Sequence, residues 1–208
     1  MRALQTQMNP HFLFNSLNSI KHFIIKNEKA DASFFLGKLS KLIRKILDNS
    51  QLLEITLKEE LAIMKLYLNV ENIRLDKDII LDIVVEDSLE TQNYKLPPMV
   101  LQPFIENAIW HGLALKKGVK KIKISIRKKK NFIIINITDN GIGREKAAIL
   151  KTAKLIDKES LGIELTKQRL EAYTQHFTRK SSIIFEDLYD KKNSPIGTKV
   201  HINIPVFD

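Results

Sequence analysis

The sequence predicts an α+β protein in two parts: a helical hairpin over residues 1–54, then a two-layer α/β sandwich over residues 55–208. Three observations carry that expectation. Apolar residues recur every three or four positions through Leu4, Met8, Phe12, Leu13, Leu17, Ile20 and Ile24, the period of a helix. The same period returns in Phe35, Leu39, Leu42, Ile43, Ile46 and Leu47. Strand-like, β-branched runs begin at Ile79, and proline and glycine punctuation separates the later elements.

The elements follow in order. A first helix is expected up to about residue 27, with Pro10 either kinking it or starting it behind an Asn9 cap. A second is expected from Ala32 to Asp48, joined to the first only by Asn27-Glu28-Lys29-Ala30-Asp31, so the two form an antiparallel hairpin. Two helices alone cannot bury so much apolar surface on both faces, which predicts a homodimer. Thr56-Leu57-Lys58-Glu59 fits a capping box opening a third helix that runs to about Leu75. Ile79–Val85 reads as a strand, and Leu96-Pro97-Pro98 halts the chain before a helix from Met99 to His111. Lys120–Arg127 alternates isoleucine with polar residues, and Phe132–Ile137 is a more continuous apolar strand. A helix from Leu161 to Phe177 precedes two last strands, Ser182–Phe185 and Thr198–Ile204. The second part is therefore expected to hold a mostly antiparallel sheet with helices gathered on one face.

Composition removes several classes of function. The absence of cysteine excludes disulfides and thiolate metal sites. A net charge of +10 invites a nucleic-acid reading, but the lysines are dispersed. Their one local run, Lys128-Lys129-Lys130, falls at an expected hairpin turn without interleaved aromatics, so no direct nucleic-acid binding is expected. No apolar stretch approaches the ~20 residues that span a bilayer, and Met1-Arg2-Ala3 does not open a secretory signal.

Two constellations carry chemistry. On a helix His11, Asn15, Asn18 and His22 share one face, a polar stripe headed by an imidazole, which is nucleophilic near neutral pH. A surface histidine beside a helix cap is the plainer account of His11 taken alone, and His22 stays with that account. The second constellation lacks a G-x-x-x-x-G-K-[ST] phosphate loop but has three elements in a suggestive order. Glu106 and Asn107 offer hard oxygens of the kind Mg²⁺ takes, in the segment Glu106-Asn107-Ala108-Ile109-Trp110-His111-Gly112. Asp139-Asn140-Gly141-Ile142-Gly143 puts a carboxylate at a strand end, able to accept a hydrogen bond from an adenine amine, beside glycines that admit close approach. Gly162, expected at a helix start, suits phosphate oxygens, and the lysine-rich stretch 144–159 before it is a candidate lid.

At these residues the sequence resembles the LytS-type sensor histidine kinases over essentially its whole length. Met8-Asn9-Pro10-His11-Phe12-Leu13-Phe14-Asn15 is similar to that family's phosphoacceptor motif. Leu57–Arg74, with Glu59, Glu60, Tyr67, Glu71 and Arg74, is similar to its helical lead-in. Leu101–Ala108 with His111-Gly112 resembles its N box, Asp139-x-Gly141-x-Gly143 its first glycine box, Gly162 its second, and Gly197-Thr198 its final strand. The resemblance implies a phosphotransfer hairpin followed by a Bergerat-type ATP-binding domain, using ATP and Mg²⁺. It implies His11 as the phosphorylated residue, with Asn15 steadying the ring and Glu106 as base or Mg²⁺ orienter. It further implies Asn107 as metal ligand, and His111, Gly112, Asp139, Gly141, Gly143, Gly162 and Thr198 around the nucleotide. Family members usually carry a membrane sensor, act on the cytoplasmic side of the bacterial membrane and pass the phosphoryl group to an aspartate of a DNA-binding response regulator. The same would be expected of a longer protein of which this chain is the core. Two positions depart from the pattern: Trp110 stands where a basic residue is frequent, and Ser160 where the second glycine box usually begins with glycine. A catalytically degenerate dimeric scaffold is the rival reading. It would be expected to lose His11, Asn107 or Asp139, and the chain keeps all three.

Overall fold

The computed structural model describes residues 10–76, 78–150 and 156–206, and the side chains of residues 10, 11, 150 and 156–161 are outside that description. Residues 1–9 of the expected first helix therefore lie outside the described residues.

Helix α1 spans Pro10–Ile25 and α2 spans Lys29–Ser50. Asn27 closes α1 in the left-handed conformation (φ 61°). Its N–H bonds Ile24 O at 3.0 Å and the Glu28 N–H bonds Phe23 O at 2.9 Å, the paired bonds of a Schellman stop. That stop turns the chain into the expected antiparallel hairpin. Ala32, Phe35, Leu39, Leu42 and Ile46 bury one stripe of α2, and Phe23 packs on Phe35 with ring centroids 5.9 Å apart.

What covers the stripe is helix α3, Leu57–Leu75, so part of the apolar surface ascribed to dimerisation is satisfied inside the chain. Phe12 meets Tyr67 of α3 at 5.2 Å between ring centroids. A second row remains open: Phe14, Leu17 and Ile24 on α1 and Phe34 on α2 are each more than half exposed.

The α3 helix opens on the expected capping box. Thr56 Oγ1 accepts from the Glu59 N–H at 3.2 Å, and Glu59 Oε2 accepts from the Thr56 N–H at 2.8 Å. Just before it, β1 (Ile55–Thr56) pairs antiparallel with β3 (Lys95–Leu96). The helix is buried on two sides, by the hairpin on one and the sheet layer on the other, while Lys58, Ala62, Lys65 and Asn69 stay exposed.

The main sheet has five strands: β2 (Ile79–Val85), β4 (Lys120–Lys129), β5 (Phe132–Asp139), β6 (Ser182–Tyr189) and β7 (Pro195–Pro205). Their order is β2-β4-β5-β7-β6, with β2 parallel to β4 and every other pair antiparallel. Alternation puts Ile122, Ile124 and Ile126 of β4, Ile133, Ile135 and Ile137 of β5, and Val200, Ile202 and Ile204 of β7 on the buried face. Helices α4 (Gln102–Asn107), α5 (Arg144–Leu150) and α6 (Ile156–Tyr173) complete the second part. β6 and β7 run past their expected ends because Glu186–Lys199 and Asp187–Thr198 continue the ladder through polar residues. The helix expected from Met99 starts only at Gln102, since Met99 is left-handed (φ 61°) and its N–H is taken by a side chain of α3.

Replacing Thr56 by alanine removes one acceptor of the capping box and should lower stability to urea by about 1 kcal/mol. An unchanged unfolding midpoint would mean that the box is not formed in solution.

Candidate functional site

The recess at one end of the sheet is built where β5 and β7 finish side by side. Asp139, the last residue of β5, pairs with Thr198 of β7, and both side chains are buried on the inner face. Because the alternation that buries Ile133, Ile135 and Ile137 continues one step further, a carboxylate is carried into the interior. Burial pushes its pKa up from 3.8 to about 6, against the pull of hydrogen bonds from the backbone of Gly141, Thr198 and Asp139 itself and of the Lys116 charge. The Gly141 N–H lies 2.8 Å from Asp139 Oδ1.

The wall opposite Asp139 comes from the end of the α4 segment. After Asn107 the helix widens into a π turn, Ala108–Leu113, a form that concentrates at functional sites. The wider turn brings Gly112 directly over the carboxylate: a Cβ at residue 112 would stand 2.7 Å from Asp139 Oδ1. Gly112 O accepts from the Ile142 N–H at 3.0 Å, and a Cβ at Gly141 would collide with the Gly112 backbone. Gly143 (φ +79°) then turns the chain against Pro195. Asp139, Gly112, Gly141 and Thr198 are thereby brought together, with Gly143 one turn away.

Glu106 and Asn107 stand half-buried in the last turn before the π turn, and His111 is half-buried within it. Gln102 Nε2 donates to Glu106 Oε1 at 2.9 Å. A buried carboxylate under paired glycines fits an exocyclic amine, and the Glu106 and Asn107 oxygens fit a hard cation that keeps phosphate and water as further ligands.

Three expected site residues stand elsewhere. Gly162 is the seventh residue of α6 rather than its start, and it packs against Pro103 while its carbonyl accepts from Thr166 Oγ1 at 2.9 Å. Its amide is therefore inside the helix in this conformation, where the phosphate argument made for a helix start does not apply. Asn15 lines a separate cleft of about 610 Å³ between α1 and the end of α3, with Asn18, Ser19, His22, Lys26 and Arg74. His11 occupies the first turn of α1, and its side chain is outside the described residues, as is that of Ser160. Of the candidate lid, residues 151–155 are outside the described residues, and Arg144 at its start is held by Asp187 at 2.7 and 2.6 Å.

The sequence marks Glu60 only as part of the lead-in that Leu57–Arg74 resembles, with no role attached. Fully buried, its carboxylate accepts from the Met99 N–H at 3.0 Å and the Leu101 N–H at 2.8 Å, the segment that leads into α4. Arg169 of α6 donates to Pro98 O at 2.7 Å on the same segment. In the sequence Glu59-Glu60 stands at a helix start, where capping accounts for Glu59 and nothing local assigns Glu60 this contact.

The sheet order and the helical layer over one face are a fold shared with the catalytic domains of histidine kinases. The histidine kinase domain of the blue-light activated histidine kinase EL346 of Erythrobacter litoralis has this fold, at a TM-score of 0.51 and 13% identity, covering 99% of this chain and 94% of that one. Residues 1–79 match the family described as Histidine kinase. The sensor protein LytS of Bacillus cereus is 31% identical over 162 residues, 78% of this chain. That of Oceanobacillus iheyensis is 36% identical over 146 residues, 70% of this chain. The chain belongs to the LytS-type sensor histidine kinase family. It spans about a quarter of the length of these relatives, 27% and 24%. No helix among the described residues is long and apolar enough to cross a membrane.

Burial raises Glu60 from 4.5 to about 7, opposed by the Leu101 and Met99 amides and by Arg169. The folded value is the higher, so the unfolded chain loses this proton first as pH rises. The Glu60 contribution to stability is thus full below pH 4.5, declines through the window up to about pH 7 and is level above. Glu60→Gln should gain on the wild type by up to about 1.4 kcal/mol per pH unit across that window in urea unfolding. A constant difference between the two proteins from pH 5 to 7 would contradict this.

Proposed function

We propose that this chain is the phosphotransfer and catalytic core of a sensor histidine kinase that phosphorylates its own His11 from ATP. One observation carries the reading: the helix headed by His11 docks through Phe12 on α3, the helix that also holds the N box beside the Asp139 recess.

In this reading Asp139 accepts a hydrogen bond from the adenine amine, with Gly112, Gly141 and Thr198 shaping the recess and His111 and Gly143 at its margin. Gly162 contributes only if α6 unwinds at its start over the triphosphate. Asn107 holds Mg²⁺, which neutralises phosphate charge when bound, and Glu106 orients that shell or takes the imidazole proton. The His11 ring nitrogen forms its bond to the γ-phosphorus as the bond to the ADP oxygen breaks, and the ring sheds its N–H proton. Asn15, one turn along α1, steadies the phosphorylated ring. The division at residue 54 separates a phosphotransfer unit, 1–54, from an ATP-binding unit, 55–208. The open row Phe14, Leu17, Ile24 and Phe34 is the surface for a second copy. The phosphoryl acceptor is an aspartate of a response regulator, and the longer protein works from the cytoplasmic side of the membrane.

Incubation with Mg²⁺ and γ-labelled ATP should leave acid-labile label on the wild type and none on His11→Gln or Asn107→Ala. Wild type that binds ATP without taking label would exclude this fragment as a self-sufficient kinase. The recess makes a second, pH-dependent claim. Asp139 protonates as pH falls through about 6, so affinity for adenosine, which has no phosphate to titrate, should drop by up to about tenfold per unit below that point. Asp139→Asn should bind weakly and evenly across pH. A wild-type affinity unchanged from pH 7.5 to 5 would remove Asp139 from the adenine.

A further inference from the structure

Helix α3 carries a polar stripe where a core helix needs none. Glu60, Tyr67, Glu71 and Arg74 fall on one face, at intervals of seven, four and three residues. Both carboxylates and the tyrosine are buried, and the Arg74 side chain is 7% exposed. Such groups are costly to desolvate, and leucines of similar volume would close the core more cheaply. What polar groups add is direction: hydrogen bonds and stacked planes fix register where apolar contacts slide.

The stripe meets one partner along its whole length. Glu60 takes the Met99 and Leu101 N–H groups at the entrance of the α4 segment. Midway, the Tyr67 hydroxyl lies beside the Trp110 indole and in the field of Glu106, Glu71 and Arg74. At the far end Glu71 grips Arg74 through two bonds, 3.1 and 2.5 Å, and holds the guanidinium 4.4 Å over the Trp110 ring. Trp110 belongs to the π turn that also carries Gly112. Attachment before Glu106 and after Asn107 leaves those two residues on a segment pinned at both ends. The outer side of Tyr67 carries Phe12, next in sequence to His11.

We propose that the Glu60–Tyr67–Glu71–Arg74 stripe is a positioning device for the metal and phosphate end of the nucleotide site, setting where Glu106 and Asn107 present their oxygens. Trp110 is thus a working part of this chain: it offers a flat face to Arg74 where a basic residue is frequent in the family. The proposal rests on Asn107 holding the metal, and its test separates the two.

Calorimetry of ATP with Mg²⁺, and of ADP in EDTA, would be run on wild type, Arg74→Lys and Tyr67→Phe. Arg74→Lys keeps a charge for Glu71 but loses the planar face. Tyr67→Phe loses only the hydroxyl. Arg74→Lys should weaken Mg·ATP about tenfold and Tyr67→Phe by several-fold, with ADP in EDTA held within about twofold, since that binding draws on the Asp139 end. Equal losses for both nucleotides would reduce the stripe to a stabilising role and overturn the proposal, as would no loss in Tyr67→Phe. Should Arg74→Lys fail to fold, Tyr67→Phe decides. A wild type whose affinity for ATP ignores Mg²⁺ would remove the metal from Asn107 and the proposal with it. A wild type that gains affinity with Mg²⁺ yet takes no label sinks the kinase reading alone and leaves the stripe to be judged by binding.

Discussion

Helix α3 keeps only a narrow solvent stripe, Lys58, Ala62, Lys65 and Asn69, and the rest of the chain packs on its other sides. Leu57, Ile63, Met64, Tyr67 and Val70 are all at most 1% exposed. A helix of 19 residues can bury this much of its surface only if separate layers close on it from different sides. The α1–α2 hairpin supplies one layer, and the sheet with the N box segment supplies the other. This makes α3 the common wall of the two parts.

The same helix supports one side of the candidate site and not the other. The Asp139 end depends on strand alternation and on two glycine contacts, features of the sheet and of the π turn. The Glu106–Asn107 end depends instead on α3, through the Glu60 hydrogen bonds and the Arg74–Trp110 stack. In the proposed site, the two ends therefore have separate structural origins. Phe12 of the hairpin touches α3 at Tyr67, on the stripe that serves the second end.

Much of the fold was legible because local chemistry and final structure agree. The capping box at Thr56 and Glu59 involves only neighbours in sequence, and it forms as read. The hairpin was legible from the period of its apolar residues and the short polar join, and the core strands from alternation. Strand ends were less so: β7 extends to Pro195, and β6 to Tyr189, because each supplies the other's hydrogen bonds through residues with no apolar pattern. The start of the helix after Pro97-Pro98 is not legible at Met99, since the competing claim on that amide comes from Glu60, thirty-nine residues away. Gly162 reads locally as a break, whereas α6 runs through it from Ile156.

Residue types, spacing and order were thus enough to give the class of fold, the family, and the candidate residues from His11 to Thr198, because each rests on contacts within a turn or on motifs read in line. The depth of Asp139, the closeness of Gly112 above it, the role of Glu60 and the stacking of Arg74 on Trp110 were decided only when distant segments met. Burial and the desolvation that comes with it are properties of the assembled layers, and no stretch of chain carries them alone.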